Sequence, residues 1–119
     1  MKNNSKVILD FAHTPDALKT ILENIKEQFP KVSIRLVFGC GGDRDKVKRS
    51  RMGKIASKLA DVIYLTDDNP RTEDPQKIRN DIKKGIKTKN VHEISSRKKA
   101  IHRCINDLCS GDIAIIAGK

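Results

Sequence analysis

The chain has no tryptophan, one tyrosine and three phenylalanines, so it is short of the rings on which nucleic-acid bases stack. Its net charge of +10 reads as a lysine-rich solvated face, because the basic residues are spread over all the predicted helices rather than gathered in one arm. No specific nucleic-acid partner is expected. No apolar run approaches the roughly eighteen residues of a membrane span, and Met1-Lys-Asn-Asn-Ser-Lys6 lacks the apolar stretch of a secretion signal. A cytoplasmic protein without membrane contact is expected. The three cysteines, Cys40, Cys104 and Cys109, form no Cys-x-x-Cys pair and have no companion histidines at ligand spacing. That argues against a disulfide framework and leaves reduced thiols. No stretch matches Gly-x-x-x-x-Gly-Lys-Ser/Thr, so the chain carries no phosphate-cradling P-loop of its own. The dinucleotide fingerprint is missing too. Gly39-Cys-Gly-Gly-Asp-Arg44 supplies two glycines but places Arg44 where the third belongs, and it follows the second predicted strand rather than the first.

What is present is an alternation of short apolar runs and helical stripes. At 119 residues and 13.4 kDa the chain is one domain, expected to expose roughly 6,500 Å² when folded. Val7–Phe11 reads as a strand, after which Thr14 can cap a helix that begins at Pro15 and is favoured by Asp16. Leu18, Ile21, Leu22, Ile25 and Phe29 form its stripe, and Pro30 stops it. Ile34–Phe38 reads as a strand buried on both faces, followed by a helix with Met52, Ile55, Ala56 and Leu59 inward. Val62–Leu65 is a third strand. Asp74 caps a helix starting at Pro75 with Ile78, Ile82 and Ile86 inward. Val91–Ile94 is a weak fourth strand. Ser95 or Ser96 caps a last helix with Ala100, Ile101, Cys104, Ile105 and Leu108 on its buried side, and Gly111 ends it. Asp112–Ala117 is a fifth buried strand. Five strands alternating with four helices specify a three-layer, Rossmann-like α/β domain with right-handed crossovers and a mainly parallel sheet.

Such a sheet works at the carboxyl ends of its strands. Gly39, Gly41 and Gly42 would let backbone approach a ligand, with Asp43, Arg44, Asp45 and Lys46 to meet charge; a plain strand-to-helix turn fits those residues equally well. Asp10 and His13 follow the first strand, where a carboxylate suits ribose hydroxyls and an imidazole suits a phosphate or metal. A loop histidine bonded to backbone is the simpler reading of His13. Asp67, Asp68, Asn69 and Arg71 crowd the end of the third strand, Pro70 stiffening the backbone and Arg71 offering a planar fork for a carboxylate; a solvated turn is the alternative. His92 and His102 read as surface residues.

Four of these segments together resemble a known family. Asp10-Phe-Ala-His-Thr-Pro-Asp16, Phe38-Gly-Cys-Gly-Gly-Asp-Arg-Asp-Lys46, Asp68-Asn-Pro-Arg71 and Ala117-Gly-Lys119, in this order, are similar to the C-terminal domain of the Mur ligases. The match is to the MurE type, the UDP-N-acetylmuramoyl-tripeptide synthetases of peptidoglycan synthesis. The resemblance implies an amide ligase that uses ATP and Mg2+ to make an acyl phosphate on a UDP-N-acetylmuramoyl dipeptide, which an amino acid then attacks. It implies two preceding domains that carry the P-loop and most contacts to the UDP-sugar, in keeping with the missing P-loop. It places Asp10 and His13 on the nucleotide side of the cleft, and Arg44, Asp68, Asn69, Arg71 and the backbone of Gly118 around the incoming amino acid. Arg71 goes, in that family, with meso-diaminopimelate rather than lysine.

Two departures accompany the match. Val47 and Ser50 stand where the family usually has glycine and proline, which is expected to reshape the loop behind Arg44 without removing it. The family also continues Ala-Gly-Lys with Gly-His-Glu, whose glutamate is expected to hold the substrate ammonium, so residues 1–119 are expected to be a C-terminal domain cut short at its end. By itself the chain is expected to be monomeric and inactive, since phosphoryl transfer needs metal and P-loop groups it lacks. A related ligase of the folylpolyglutamate synthase type is the runner-up, disfavoured by Asp68-Asn-Pro-Arg71. Outside enzymes the alternative is a stand-alone α/β binding domain, possible partners including nucleic acid given the charge.

Overall fold

The computed structural model describes residues 5–42, 46–88 and 90–118. Five strands and four helices alternate: β1 Lys6–Asp10, α1 Pro15–Gln28, β2 Ser33–Phe38, α2 Val47–Leu59, β3 Val62–Leu65, α3 Pro75–Lys83, β4 Val91–Glu93, α4 Arg97–Asp107 and β5 Asp112–Ala117. The expected capping chemistry is in place. Thr14 accepts from the Ala17 N–H at 3.1 Å with Pro15 opening α1, Asp74 accepts from Gln76 N–H at 3.0 Å ahead of Pro75, and Ser96, rather than Ser95, caps α4 through Lys99 N–H.

The strands order as β1-β5-β2-β3-β4, and every pairing is parallel; the sheet is wholly rather than mainly parallel. From β1 to β4 the chain steps across the sheet in one direction, so crossovers of one hand place α1, α2 and α3 on the same face. The step from β4 back to β5 reverses direction and puts α4 on the other. Two hydrophobic clusters follow from this. Leu18, Leu22, Ile25, Met52, Ala56, Ile78 and Ile82 cover Ile34, Leu36, Phe38, Ile63, Leu65, Ile113 and Ile115 on one side. Ala100, Cys104 and Leu108 cover Val37, Tyr64, Ala114 and Ile116 on the other. β5 lies between two partners and is buried at all 6 positions, which is why it reads as an unbroken apolar run.

The structure corrects several expectations. β1 ends at Asp10, and Phe11, outside the strand, is 81% exposed. Ile86 lies beyond the end of α3 and is only partly buried. α4 closes on Leu108, not at Gly111, which adopts a φ of 88° in the turn into β5; that turn is closed by Asp112 N–H donating to Cys109 O at 3.0 Å. His92 is not a free surface residue: it is half-buried, with its ring stacked on Tyr64 at 5.2 Å between centroids.

Candidate functional site

The carboxyl ends of β1, β2, β3 and β5 surround an open cleft of about 320 Å³. β1 leads into Phe11 and His13 on its wall, β2 into Gly39, Cys40 and Gly41, β3 into Asp68, Asn69 and Arg71, and β5 into Gly118; Lys48 and Arg49 reach in from the first turn of α2. This is where an open parallel α/β sheet binds its ligands, and the volume lies at the small-molecule end of the usual range.

Two loops form its floor, and they touch through backbone. A Cβ on Gly42 would lie 1.8 Å from Pro70 O, and one on Gly39 would lie 2.2 Å from Thr66 O, so neither position admits a side chain. Gly42 N–H donates to Asn69 O at 2.8 Å. Glycine here serves loop-to-loop contact, a use that the composition of the stretch does not distinguish from approach to a ligand.

Arg71 has a φ of 51°, in the left-handed region that costs a non-glycine residue on the order of 1–3 kcal/mol. The conformation is held from both sides. Its N–H donates to Asn69 Oδ1 at 3.2 Å, and its Nη1 donates to Gly42 O at 2.8 Å. The strained turn sets the guanidinium against the glycine loop, where Nη1 is spent on Gly42 O, and Arg71 lines the cleft. Asp68 stands in the same cleft. Its Oδ1 accepts from Asn69 N–H at 2.9 Å, and a Cβ on Gly118 would lie 3.8 Å from its Oδ2, so the carboxylate borders the end of β5. Gly118 itself has a φ of 93° and donates its N–H to Asp10 O at 3.0 Å.

His13, Asp68, Asn69, Arg71 and Gly118 are thus brought together around one cavity. Asp10 is not on it. Its side chain accepts from Ala12 N–H at 2.9 Å and borders a separate depression along α1 with Asp16 and Asn24. His13 is exposed, with its Nδ1 3.0 Å from Phe11 O; a carbonyl only accepts, so Nδ1 donates in that bond. Arg44 lies outside the described residues.

Residue-by-residue reading missed Arg49. It is 1% exposed and forms a two-pronged ion pair with Glu73, Nη1 to Oε2 at 3.0 Å and Nη2 to Oε1 at 2.6 Å. Nη1 also donates to Asp81 Oδ2 at 3.0 Å, and Nη2 lies 3.4 Å from Gly41 O. These partners, Glu73 first, raise its pKa above the ordinary arginine value. The available signal was positional: Arg49 sits three and seven residues before Met52 and Ala56, on the apolar stripe of α2. Below the cleft, Arg79 performs a similar tie, pairing with Asp67 at the end of β3 and with Glu93 of β4, the latter at 2.8 Å. Cys40, also on the cleft wall, has its thiol pushed up to about 11 by burial, with Arg49 and Lys48 acting weakly the other way. It is no nucleophile at neutral pH.

Comparison with known proteins shows what the whole chain is similar to. The family model described as "Mur ligase, glutamate ligase domain" matches residues 1–119. The chain is 53% identical over 120 residues to a UDP-N-acetylmuramoyl-L-alanyl-D-glutamate–2,6-diaminopimelate ligase of Rickettsia bellii (strain RML369-C), covering 98% of this chain and 25% of that protein. A ligase of the same name from Clostridium perfringens (strain 13 / Type A) is 50% identical over 113 residues, covering 95% of this chain and 23% of that protein. A solved structure of a ligase of this name superposes with a TM-score of 0.91 at 44% identity, over 98% of this chain and 24% of that one. The chain therefore spans about a quarter of the length of the curated relatives it matches.

Proposed function

The chain belongs to the Mur ligase family, and we propose that it is the amino-acid-binding domain of an ATP-dependent ligase that joins meso-diaminopimelate to UDP-N-acetylmuramoyl-L-alanyl-D-glutamate in peptidoglycan synthesis. The observation that carries this reading is the presence in one cleft of Arg71, held in a strained turn, and the Asp68 carboxylate. A guanidinium takes a carboxylate with two charge-assisted hydrogen bonds, and a neighbouring carboxylate takes an ammonium. Meso-diaminopimelate offers both groups on the end remote from the reacting amine. Lysine offers only an ammonium there, which would face Arg71 and leave it unpaired. An unpaired charge in a desolvated site costs about 2–5 kcal/mol, so roughly thirtyfold to several thousandfold discrimination is within reach of this contact alone. Asn69, Gly118 and Arg44 complete the proposed amino-acid site, and His13 and Asp10 are assigned to the nucleotide side.

ATP and Mg2+ fit this chain poorly as residents. The cleft offers one carboxylate and one imidazole among the described residues, no group of three or more His, Cys, Asp or Glu able to hold a metal occurs among them, and there is no P-loop. Magnesium takes carboxylate and phosphate oxygens in octahedral array. We assign both, with the UDP-sugar, mainly to the rest of a longer ligase. Among the described residues no helix is long and apolar enough to cross a membrane.

Steady-state rates with meso-diaminopimelate and with lysine, in the full-length enzyme and its Arg71→Ala variant, test the reading. The expected result is a preference for meso-diaminopimelate and a loss of at least about tenfold in the variant, one charged contact being worth roughly 1.4 kcal/mol or more. A wild type that preferred lysine, or a variant with an unchanged diaminopimelate rate, would overturn it.

A further inference from the structure

We propose that Arg49 is a positioning residue for the amino-acid substrate: it fixes the separation of the loops after β2 and β3, and with it the direction in which the Arg71 guanidinium faces the cleft. This rests on the reading above and deepens it. Arg71 sits on a turn that belongs to no helix or strand. Its side chain leans on Gly42 O at 2.8 Å, so the position of the glycine loop decides where the fork points. Two residues further on, Glu73 N–H closes the turn on Pro70 O at 3.0 Å, and the Glu73 carboxylate is gripped by both outer nitrogens of Arg49. The same guanidinium reaches Asp81 on α3 and lies against Gly41 O. One side chain therefore joins α2, the glycine loop, the Arg71 turn and α3.

The role requires arginine. A planar fork holds two carboxylate oxygens at fixed spacing and still has donors for a third partner, whereas a lysine ammonium is a single point of attachment. Arg49 acts through its neighbours rather than on a ligand. Two carboxylates already face its single charge, so it offers an incoming anion little unspent charge although it lines the cavity. Its Nε, buried and without a partner among the described residues, leaves the outer fork as its grip on them. A change at Arg49 is thus transmitted to the substrate by the displacement of Gly42 and the Arg71 turn.

The test is steady-state kinetics of the full-length enzyme with meso-diaminopimelate and ATP as varied substrates, in wild type, Arg49→Lys, Glu73→Gln and, as a control on the opposite face of the sheet, Arg35→Lys. Arg49→Lys is expected to raise KM for meso-diaminopimelate at least about tenfold while KM for ATP stays within about twofold, since only one loop pair is displaced. Glu73→Gln, which keeps one acceptor and the Asp81 pair, shifts the same KM in the same direction by less. Arg35→Lys leaves both KM values unchanged. If Arg49→Lys does not fold, Glu73→Gln decides by the same split. Unchanged KM for meso-diaminopimelate in the folded variants, or KM for ATP rising in parallel, overturns the proposal and reduces Arg49 to a stabilising contact. A wild type that does not ligate meso-diaminopimelate strikes instead at the substrate reading, and is seen before any variant is made.

Discussion

Arg49 and Arg35 anchor hydrogen-bonded networks on opposite faces of one sheet, and they differ in what they join. Arg35 lies in β2 and points under α4, where its Nε donates to Asp112 at 3.0 Å and its Nη1 to Tyr64 Oη at 2.9 Å. Tyr64 passes the bond on to Asp107 at 2.7 Å. Its partners stand on β3 and β5, strands already set beside β2 by ladder hydrogen bonds. Arg49 instead bridges a loop, a turn and a helix that no ladder connects. A network laid over registered strands adds stability to an arrangement that exists without it. One laid between loops reinforces a junction that otherwise rests on the Gly42 N–H bond to Asn69 O and the close approach of Gly42 to Pro70, and that is the kind found beside the cleft.

The largest expected effect follows from that difference. Arg49→Met leaves Glu73 and Asp81 without their buried counter-charge, and breaking a buried pair from one side costs about 3–5 kcal/mol. Arg35→Met removes hydrogen bonds to one carboxylate and one phenol from a side chain still 18% exposed, for about 1.5–3 kcal/mol. Urea unfolding of the 119-residue chain measures both. Equal losses, or a larger loss at Arg35, would break the comparison.

The parts legible in the sequence and the parts that were not divide along the same line. Thr14 with Pro15 and Asp74 with Pro75 announce their helices because a cap is settled within four residues. β3 and β5 appear with their expected bounds, since an apolar run between turn formers carries its own evidence. The insertion of β5 between β1 and β2 has no local signal; it depends on which strand edges meet. Neither does the contact of Gly42 with Pro70, formed by residues 28 positions apart in the numbering. Arg49 was overlooked because a charged residue in a basic stretch, Lys46-Val-Lys-Arg-Ser-Arg51, looks solvated until Glu73 and Asp81 are seen beside it. Within the site, Asp68, Asn69 and Arg71 were visible as a crowded, proline-stiffened turn, whereas the separation of Asp10 from His13 depends on the exit angle of the chain from β1.

Acid titration sharpens the comparison at a smaller scale. Burial works against the Asp81 carboxylate, but Arg49 and Lys84 outweigh it and hold its pKa below the ordinary value. On the other face burial works against Asp107, and the Tyr64 hydroxyl and Arg103 outweigh it in the same sense. A carboxylate whose folded pKa is depressed stabilises the fold above its unfolded value, about 3.9, and loses that contribution as pH falls through the folded value. Stability is therefore expected to decline on the acid side of about pH 5. Arg49→Met should flatten the share of that decline owed to Asp81, and Tyr64→Phe the share owed to Asp107. Thermal midpoints between pH 2 and 6 test this, and an acid limb of unchanged slope in both variants would show that neither pair is linked to folding.

The smallest effect concerns the thiols, which report the two sides of the sheet separately. Cys40 borders the cleft, its Sγ 3.6 Å from Met52 Sδ, and burial pushes its thiol up to about 11. Cys104 is fully buried under α4 and is pushed up to about 12, again chiefly by burial. Cys109 is exposed in the turn after α4. The thiolate is the reactive form, so near pH 8 a water-soluble disulfide reagent should modify Cys109 first and Cys40 slowly, leaving Cys104 protected until the domain opens. Opening differs between the faces. Cys40 is expected to become accessible when the glycine loop moves, an event that Arg49→Lys makes easier, whereas Cys104 waits for α4 to leave the sheet, which Arg49 does not touch. Mass spectrometry of timed labelling in wild type and Arg49→Lys resolves the two. Faster labelling of Cys40 with Cys104 unchanged is the expected result; parallel acceleration of both would mean that the two networks stabilise one cooperative unit and that the faces are not independent.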